Sequence, residues 1–67
     1  MSVARITEIS ASSETSFDDA VKEGIKRANM TLKNVKGAWI EDQEVSVNKG
    51  NIAEYRVKMK VTFVLED

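Results

Sequence analysis

The sequence predicts an α+β fold in which one amphipathic helix packs on a three-stranded antiparallel sheet, with the elements in the order β-α-β-β. Three observations predict it: apolar and polar residues alternate through Ala53–Leu65, a helical apolar repeat precedes that stretch, and a turn at Asn48–Asn51 leads into it. The helix returns the chain, so strands one and two run the same way, and the hairpin reverses strand three. An all-antiparallel sheet therefore needs strand three in the centre, in the order 1-3-2.

The first strand is predicted over Ser2–Ser10, mainly from its β-branched residues. A polar connector, Ser10–Ser16, follows, and its last serine is suited to cap a helix because its hydroxyl can accept from the third helical backbone N–H. The helix itself is predicted from apolar residues at helical spacing. These residues are Phe17, Ala20, Val21, Gly24, Ile25, Ala28 and Leu32.

Two helix positions stand out. Gly24 lies on the apolar stripe, where glycine costs up to about 1 kcal/mol relative to alanine, so we expect the helix to approach the sheet closely there. Met30 lies opposite the stripe and is either an ordinary exposed methionine or a subunit contact.

The second strand is predicted over Ala38–Val47, and its apolar residues change parity along the strand. A β-bulge or bend near Asp42–Glu44 would reconcile the two phases. The turn Asn48–Asn51 follows, since Asn and Gly tolerate positive φ. In the third strand, Ala53–Leu65, one face is apolar and the other carries Arg56, Lys58, Lys60 and Thr62.

The chain has 67 residues, which predicts a single domain over residues 1–67. It has neither cysteine nor histidine, which excludes disulfides, thiolate metal sites and the commonest general base. So small a domain usually needs disulfides, a metal or oligomerisation, and we therefore expect a homo-oligomer.

The formal net charge of −1 gives no reason to expect nucleic acid or an anionic membrane as partner. The N-terminus lacks the apolar core of a signal peptide, and no run of residues reaches transmembrane length. These features predict a cytoplasmic protein.

Catalytic chemistry has no support in the sequence, because no motif pairs a nucleophile with a base. Trp39, the single tryptophan, can offer a stacking face or fill a core. The acidic residues Glu41, Asp42 and Glu44 suit a hard cation such as calcium, although acids on a strand usually form a solvated face.

The cations Arg56, Lys58 and Lys60 line the polar face of the third strand. Cross-strand pairing with Glu41, Gln43 or Glu44 accounts for them, and anion binding is the alternative.

The chain resembles the dodecin family of small flavin-binding proteins over nearly its whole length. The matching segments are Ser10-Ala11-Ser12-Ser13, Ser16-Phe17-Asp18-Asp19-Ala20, Ala28–Asn34, Glu54-Tyr55-Arg56-Val57 and Lys60-Val61-Thr62-Phe63-Val64-Leu65. The resemblance implies a shell of twelve identical subunits that sequesters flavin without turning it over.

The resemblance also implies site residues. In flavin-binding relatives a tryptophan stacks on the flavin ring, and a glutamine after the tyrosine of strand three hydrogen-bonds the pyrimidine edge; here these positions fall on Gly37 and Arg56. Trp39 lies two residues on, about 7 Å along the strand, and is expected to reach the ring. Asp42 lies near a position that contacts the ribityl chain of the flavin in some relatives. The implied ligand set is Gly37, Trp39, Asp42 and Arg56.

Two functions follow as hypotheses. The first is a non-enzymatic shell that binds a flavin, whether FMN, riboflavin or FAD, with Arg56 donating to a flavin carbonyl or N1. The second is a structural or calcium-binding shell that uses Glu41, Asp42 and Glu44.

Overall fold

The structure is a computed structural model that describes residues 3–65. Its elements are β1 (Ala4–Ser13), α1 (Phe17–Thr31), β2 (Val35–Asn48) and β3 (Asn51–Val64). All pairing is antiparallel and the strand order is β1-β3-β2. The predicted element order and sheet topology are thus confirmed, with the alternating strand in the centre.

The predicted connector after the first strand is wrong over its first half. β1 continues to Ser13, because this stretch completes the ladder with β3 as far as Tyr55. The Ser13 hydroxyl then donates to the Asp19 carboxylate at 2.7 Å and accepts from the Thr15 N–H at 2.9 Å. Ser16 caps the helix as predicted, its hydroxyl accepting from the Asp19 N–H at 3.0 Å.

The core lies between α1 and the facing side of β3. Its fully buried side chains are Ala20, Val57, Met59 and Val61. A Cβ placed on Gly24 would lie 2.5 Å from Met59 Cε and 3.0 Å from Ala11 Cβ. The close approach of helix to sheet at Gly24 is therefore confirmed. Met30 is 72% exposed within this chain.

β2 is longer than predicted and irregular. It starts at Val35 rather than Ala38, and its pairing with β3 shifts between Val35 and Gly37, Ile40 and Asp42, and Ser46 and Val47. The shift between Ile40 and Asp42 leaves Glu41 as the extra residue of a β-bulge, one position before the bulge or bend predicted near Asp42–Glu44. This bulge brings Ile40 and Val45 to the same side of the sheet, which resolves the change of parity.

The β2–β3 hairpin projects beyond the rest of the molecule. β1 ends opposite Tyr55, and Phe17 at the start of α1 packs edge-on against that tyrosine with the ring centroids 5.1 Å apart. Residues 45–54 therefore have neither β1 nor α1 against them, and we call this segment the arm. The chain measures 51 × 19 × 13 Å.

The arm closes in a tight turn. Lys49 and Gly50 have φ values of 53° and 81°, and Asn48 pairs with Asn51. Positive φ at both central residues is the type I′ geometry that suits the twist of a hairpin. As for membranes, α1, the helix of the described part, has 15 residues and is too short and too polar to span a bilayer.

Candidate functional site

The candidate site lies on the side of the sheet that faces away from α1, which we call the open face. Residues paired directly across an antiparallel sheet share a face, so the alternate residues of β3 identify the members of this side. The open face comprises Ile6, Glu8, Ser10 and Ser12 of β1, Gly37, Trp39, Asp42 and Glu44 of β2, and Glu54, Arg56, Lys58, Lys60 and Thr62 of β3. All four residues of the predicted ligand set therefore lie on one side of one sheet.

The polar residues of the open face are arranged in rows across the three strands. The successive rows are Glu8–Lys60–Trp39, Ser10–Lys58–Asp42 and Ser12–Arg56–Glu44. Along β1 and β3 neighbouring rows are two residues apart, which corresponds to about 6.6 Å along a strand. The site is therefore a polar surface with one aromatic ring at its edge.

Trp39 presents an accessible ring. It is 49% exposed, and Lys60 Nζ lies 5.5 Å from the ring centroid, within the range of a cation–π contact. Gly37 precedes it on the same face, and a Cβ there would meet no atom within 4 Å. Open space therefore adjoins the indole at Gly37.

Arg56 is held by two carboxylates. Its Nη1 donates to Glu44 Oε1 at 3.1 Å across the sheet, and its Nη2 donates to Glu54 Oε1 at 2.8 Å along its own strand. The hydrogen bond to Glu54, followed by that to Glu44, raises the pKa of Arg56 above its ordinary value. The cross-strand pairing with Glu44 is the first of the two interpretations that the sequence left open for this residue.

Glu41 takes part in a second charged group. As the extra residue of the bulge it lies with its Oε2 3.5 Å from Lys60 Nζ. A hydrogen bond with Glu8, followed by the charge of Lys60, lowers the pKa of Glu41 below its ordinary value. The contact with Glu41 holds Lys60 beside the indole of Trp39.

The three acids of the predicted calcium set do not converge within one chain. Glu44 pairs with Arg56 and Glu41 with Lys60, whereas Asp42 takes part in none of the salt bridges formed among residues 3–65. Over the same residues, no three acidic side chains lie close enough together to hold a metal ion. Of the three, only Asp42 is left without a cationic partner in this part of the chain.

A depression of about 350 Å³ brings Asp42 and Arg56 together. It is lined by Ser10, Asp42, Gln43, Glu44, Arg56 and Lys58. Trp39 stands in the adjoining row, outside this depression. Gly37 borders a different hollow of about 280 Å³, which lies between α1 and the edge of β2. The predicted ligand residues thus form two neighbouring groups rather than one pocket.

Sequence reasoning did not single out Lys60 or Glu8 as companions of Trp39. A signal was present, since counting back from the pair Asn48–Asn51 through a regular hairpin places Lys60 opposite Trp39. That count works because the extra residue Ala53 in β3 and the extra residue Glu41 in β2 offset each other.

Comparison with known proteins gives consistent results. The family model described as Dodecin matches residues 3–66. The calcium dodecin of Mycobacterium tuberculosis is 30% identical over 63 residues, which cover 94% of this chain and 89% of the relative. The dodecin of Streptomyces davaonensis has the same fold, with a TM-score of 0.95, 35% identity and coverage of 98% of this chain and 97% of its own. The solved calcium-chelating calcium dodecin of Mycobacterium tuberculosis, described with a novel calcium-binding site, gives a TM-score of 0.83 at 29% identity, covering 96% of this chain and 91% of its own.

Proposed function

This chain belongs to the dodecin family, and from that premise we propose that it is a non-enzymatic protein whose copies assemble into a homododecameric shell that holds a flavin. The observation that carries the proposal is the half-exposed indole of Trp39 on the open face, beside the unfilled space at Gly37. A planar aromatic surface with free space next to it is what a stacked ring requires.

The polar rows next to Trp39 suit the rest of the ligand. The depression lined by Ser10, Asp42, Lys58 and Arg56 begins one row away, within reach of a chain attached to a ring stacked on the indole. Hydroxyl and carboxylate groups there match a ribityl chain, and the two cations match a phosphate. FMN, riboflavin and FAD all match this arrangement, in which the ring stacks on Trp39 and the attached chain lies in the depression. A bound flavin would supply its own redox chemistry.

Assembly is supported by the shape of the chain. Its radius of gyration is 13.8 Å, whereas a compact domain of this length has about 11 Å. Large apolar side chains remain accessible at both ends of the sheet, among them Ile6 at 55%, Val47 at 63% and Ile52 at 51%. β1 and β2 are both edge strands with backbone groups available for pairing. A single copy therefore leaves much surface that association would bury.

Replacing Trp39 tests the proposal. Titrating the protein into riboflavin should quench flavin fluorescence, and Trp39→Leu should weaken binding about tenfold or more, since stacking on an aromatic side chain contributes about 1–3 kcal/mol per ring. Trp39→Phe is the matched control and should retain most of the affinity. Absence of quenching by micromolar wild-type protein would exclude flavin as the ligand.

Calcium binding is the second candidate function. The open face carries the carboxylates of Glu8, Asp42, Glu44 and Glu54 against the cations of Arg56, Lys58 and Lys60, and Glu41 on the bulge contacts Lys60. Asp42 is unpaired among the described residues, and a relative that is 30% identical is named a calcium dodecin. Carboxylates from symmetry-related copies would complete the oxygen ligands that calcium needs.

Calorimetric titration with calcium distinguishes this candidate. Wild-type protein should release or absorb heat on binding, and Asp42→Asn should abolish that signal because it removes the charge while keeping the shape. Glu14→Gln, a change at an exposed residue outside the open face, should leave the isotherm intact. An isotherm that Asp42→Asn leaves unchanged would exclude Asp42 as a calcium ligand.

A further inference from the structure

Lys60 is the cation best placed to act on a ring stacked against Trp39. Resting on the proposed function, we propose that Lys60, rather than Arg56, donates the hydrogen bond that recognises the polar edge of that ring. The ligand class is therefore a planar aromatic ring whose edge carries carbonyl oxygens as acceptors. A pyrimidine-dione edge has these acceptors.

Arg56 is unsuited to this role in two respects. Its two terminal nitrogens already donate to Glu44 at 3.1 Å and Glu54 at 2.8 Å, which are ordinary lengths for charge-assisted hydrogen bonds. It also lies two rows from Trp39, a separation of about 13 Å along the strands. The edge of a ring stacked on Trp39 would have to reach across the intervening row to a guanidinium whose position is fixed by Glu44 and Glu54.

Lys60 meets both requirements. It pairs directly with Trp39 across β2 and β3, and its Nζ lies 5.5 Å from the centroid of the indole. Its ionic contact with Glu41 is 3.5 Å long, which is longer than a strong charge-assisted hydrogen bond. An ammonium group has three donors on a flexible stem, so Lys60 retains donors for a ligand while Glu41 holds it near the ring.

The surroundings of Lys60 favour a neutral acceptor edge over a strongly anionic one. The carboxylate of Glu41 lies 3.5 Å from the ammonium group, and Glu8 pairs with Lys60 in the ladder between β1 and β3. Glu41 offsets the charge of Lys60, so the ammonium acts as a hydrogen-bond donor more than as an isolated positive charge. Carbonyl oxygens of a fused-ring ligand fit this environment.

Two ring probes separate recognition of the edge from stacking. Lumichrome carries the pyrimidine-dione edge without a side chain, and phenazine is a planar three-ring compound without carbonyls. Quenching of Trp39 fluorescence measures the affinity of each probe for the assembled protein. Lys60→Met should weaken lumichrome binding about tenfold or more, because it removes a charged donor, and should change phenazine binding by less than about twofold.

Two further variants complete the experiment. Lys60→Arg retains charge and donors and should bind lumichrome within a fewfold of wild type. Lys26→Met removes a charge from the exposed side of α1, on the opposite side of the sheet from the open face. It should change the affinity for neither probe. Sedimentation of each variant checks that assembly is unchanged.

Several results would overturn the inference while leaving ring binding intact. One is a lumichrome affinity for Lys60→Met equal to that of wild type. Another is tighter binding of both probes, which would mean that Lys60 occupies the place of the ring. Equal weakening of both probes would assign Lys60 to stacking alone. If wild-type protein binds neither probe, ring binding itself fails and this inference fails with it.

Discussion

A chain carrying Val47→Lys and Ile52→Lys is expected to sediment as a species of 7.5 kDa instead of the proposed assembly of twelve chains, about 90 kDa. Val47 and Ile52 are paired with each other on the arm and are 63% and 51% exposed. A two-stranded hairpin is marginally stable by itself in water, so the arm needs a surface to pack on. In the proposed assembly a second copy of the chain would supply that surface, and two buried lysine charges would prevent the contact.

Analytical ultracentrifugation measures this effect. Asn48→Lys with Asn51→Lys is the matched control, because it adds the same charge to the same arm at a polar pair beside the turn. The control should assemble like the wild-type protein. Dissociation of the control, or a wild-type protein that sediments as a monomer, would contradict the role given to the arm.

Gly24→Leu is expected to have the largest effect on stability, lowering the free energy of unfolding by about 2–3 kcal/mol. A side chain at this position would meet Met59 Cε at 2.5 Å and Ala11 Cβ at 3.0 Å. The end of the methionine side chain can move aside. The Cβ of Ala11 cannot, because it is attached directly to the backbone of β1, so the helix itself must shift. The better helix propensity of leucine, about 0.8 kcal/mol, offsets only part of this cost.

Urea unfolding at a single protein concentration measures the change, since the stability of an oligomer depends on concentration. Gly37→Leu is the control, because a Cβ at that position meets no atom within 4 Å. Its free energy of unfolding should stay within about 0.5 kcal/mol of wild type, as for a surface substitution. A stable Gly24→Leu protein would mean that α1 does not approach the sheet as closely as described.

The fold was predictable because each of its main signals is local. Side chains alternate between the two faces of a strand, so the sequence of β3 alone identifies its buried residues, and the structure buries Val57, Met59 and Val61. The stripe of α1 and the cap at Ser16 depend on contacts within four residues of each other. These parts of the prediction needed no knowledge of other strands.

The end of β1 was predicted less well for a physical reason. A serine-rich segment favours caps and turns in isolation, yet Ser10–Ser13 forms ladder pairs with Arg56, Lys58 and their neighbours. The backbone hydrogen bonds of the ladder outweigh the local preference. Their partners lie more than forty residues away in the sequence.

The chain by itself determined the element order, the central place of β3 and the polar face of β3 that carries Arg56, because each follows from alternation and chain direction. Only the tertiary structure placed Gly37, Trp39 and Asp42 on the same side of the sheet as Arg56 and decided which side chains contact one another. The pairing of Arg56 with Glu44, and of Lys60 with Trp39 and Glu41, depends on where single extra residues interrupt the ladder. A bulge changes every later pairing by one residue, and its position is set by packing across the sheet rather than by any local pattern.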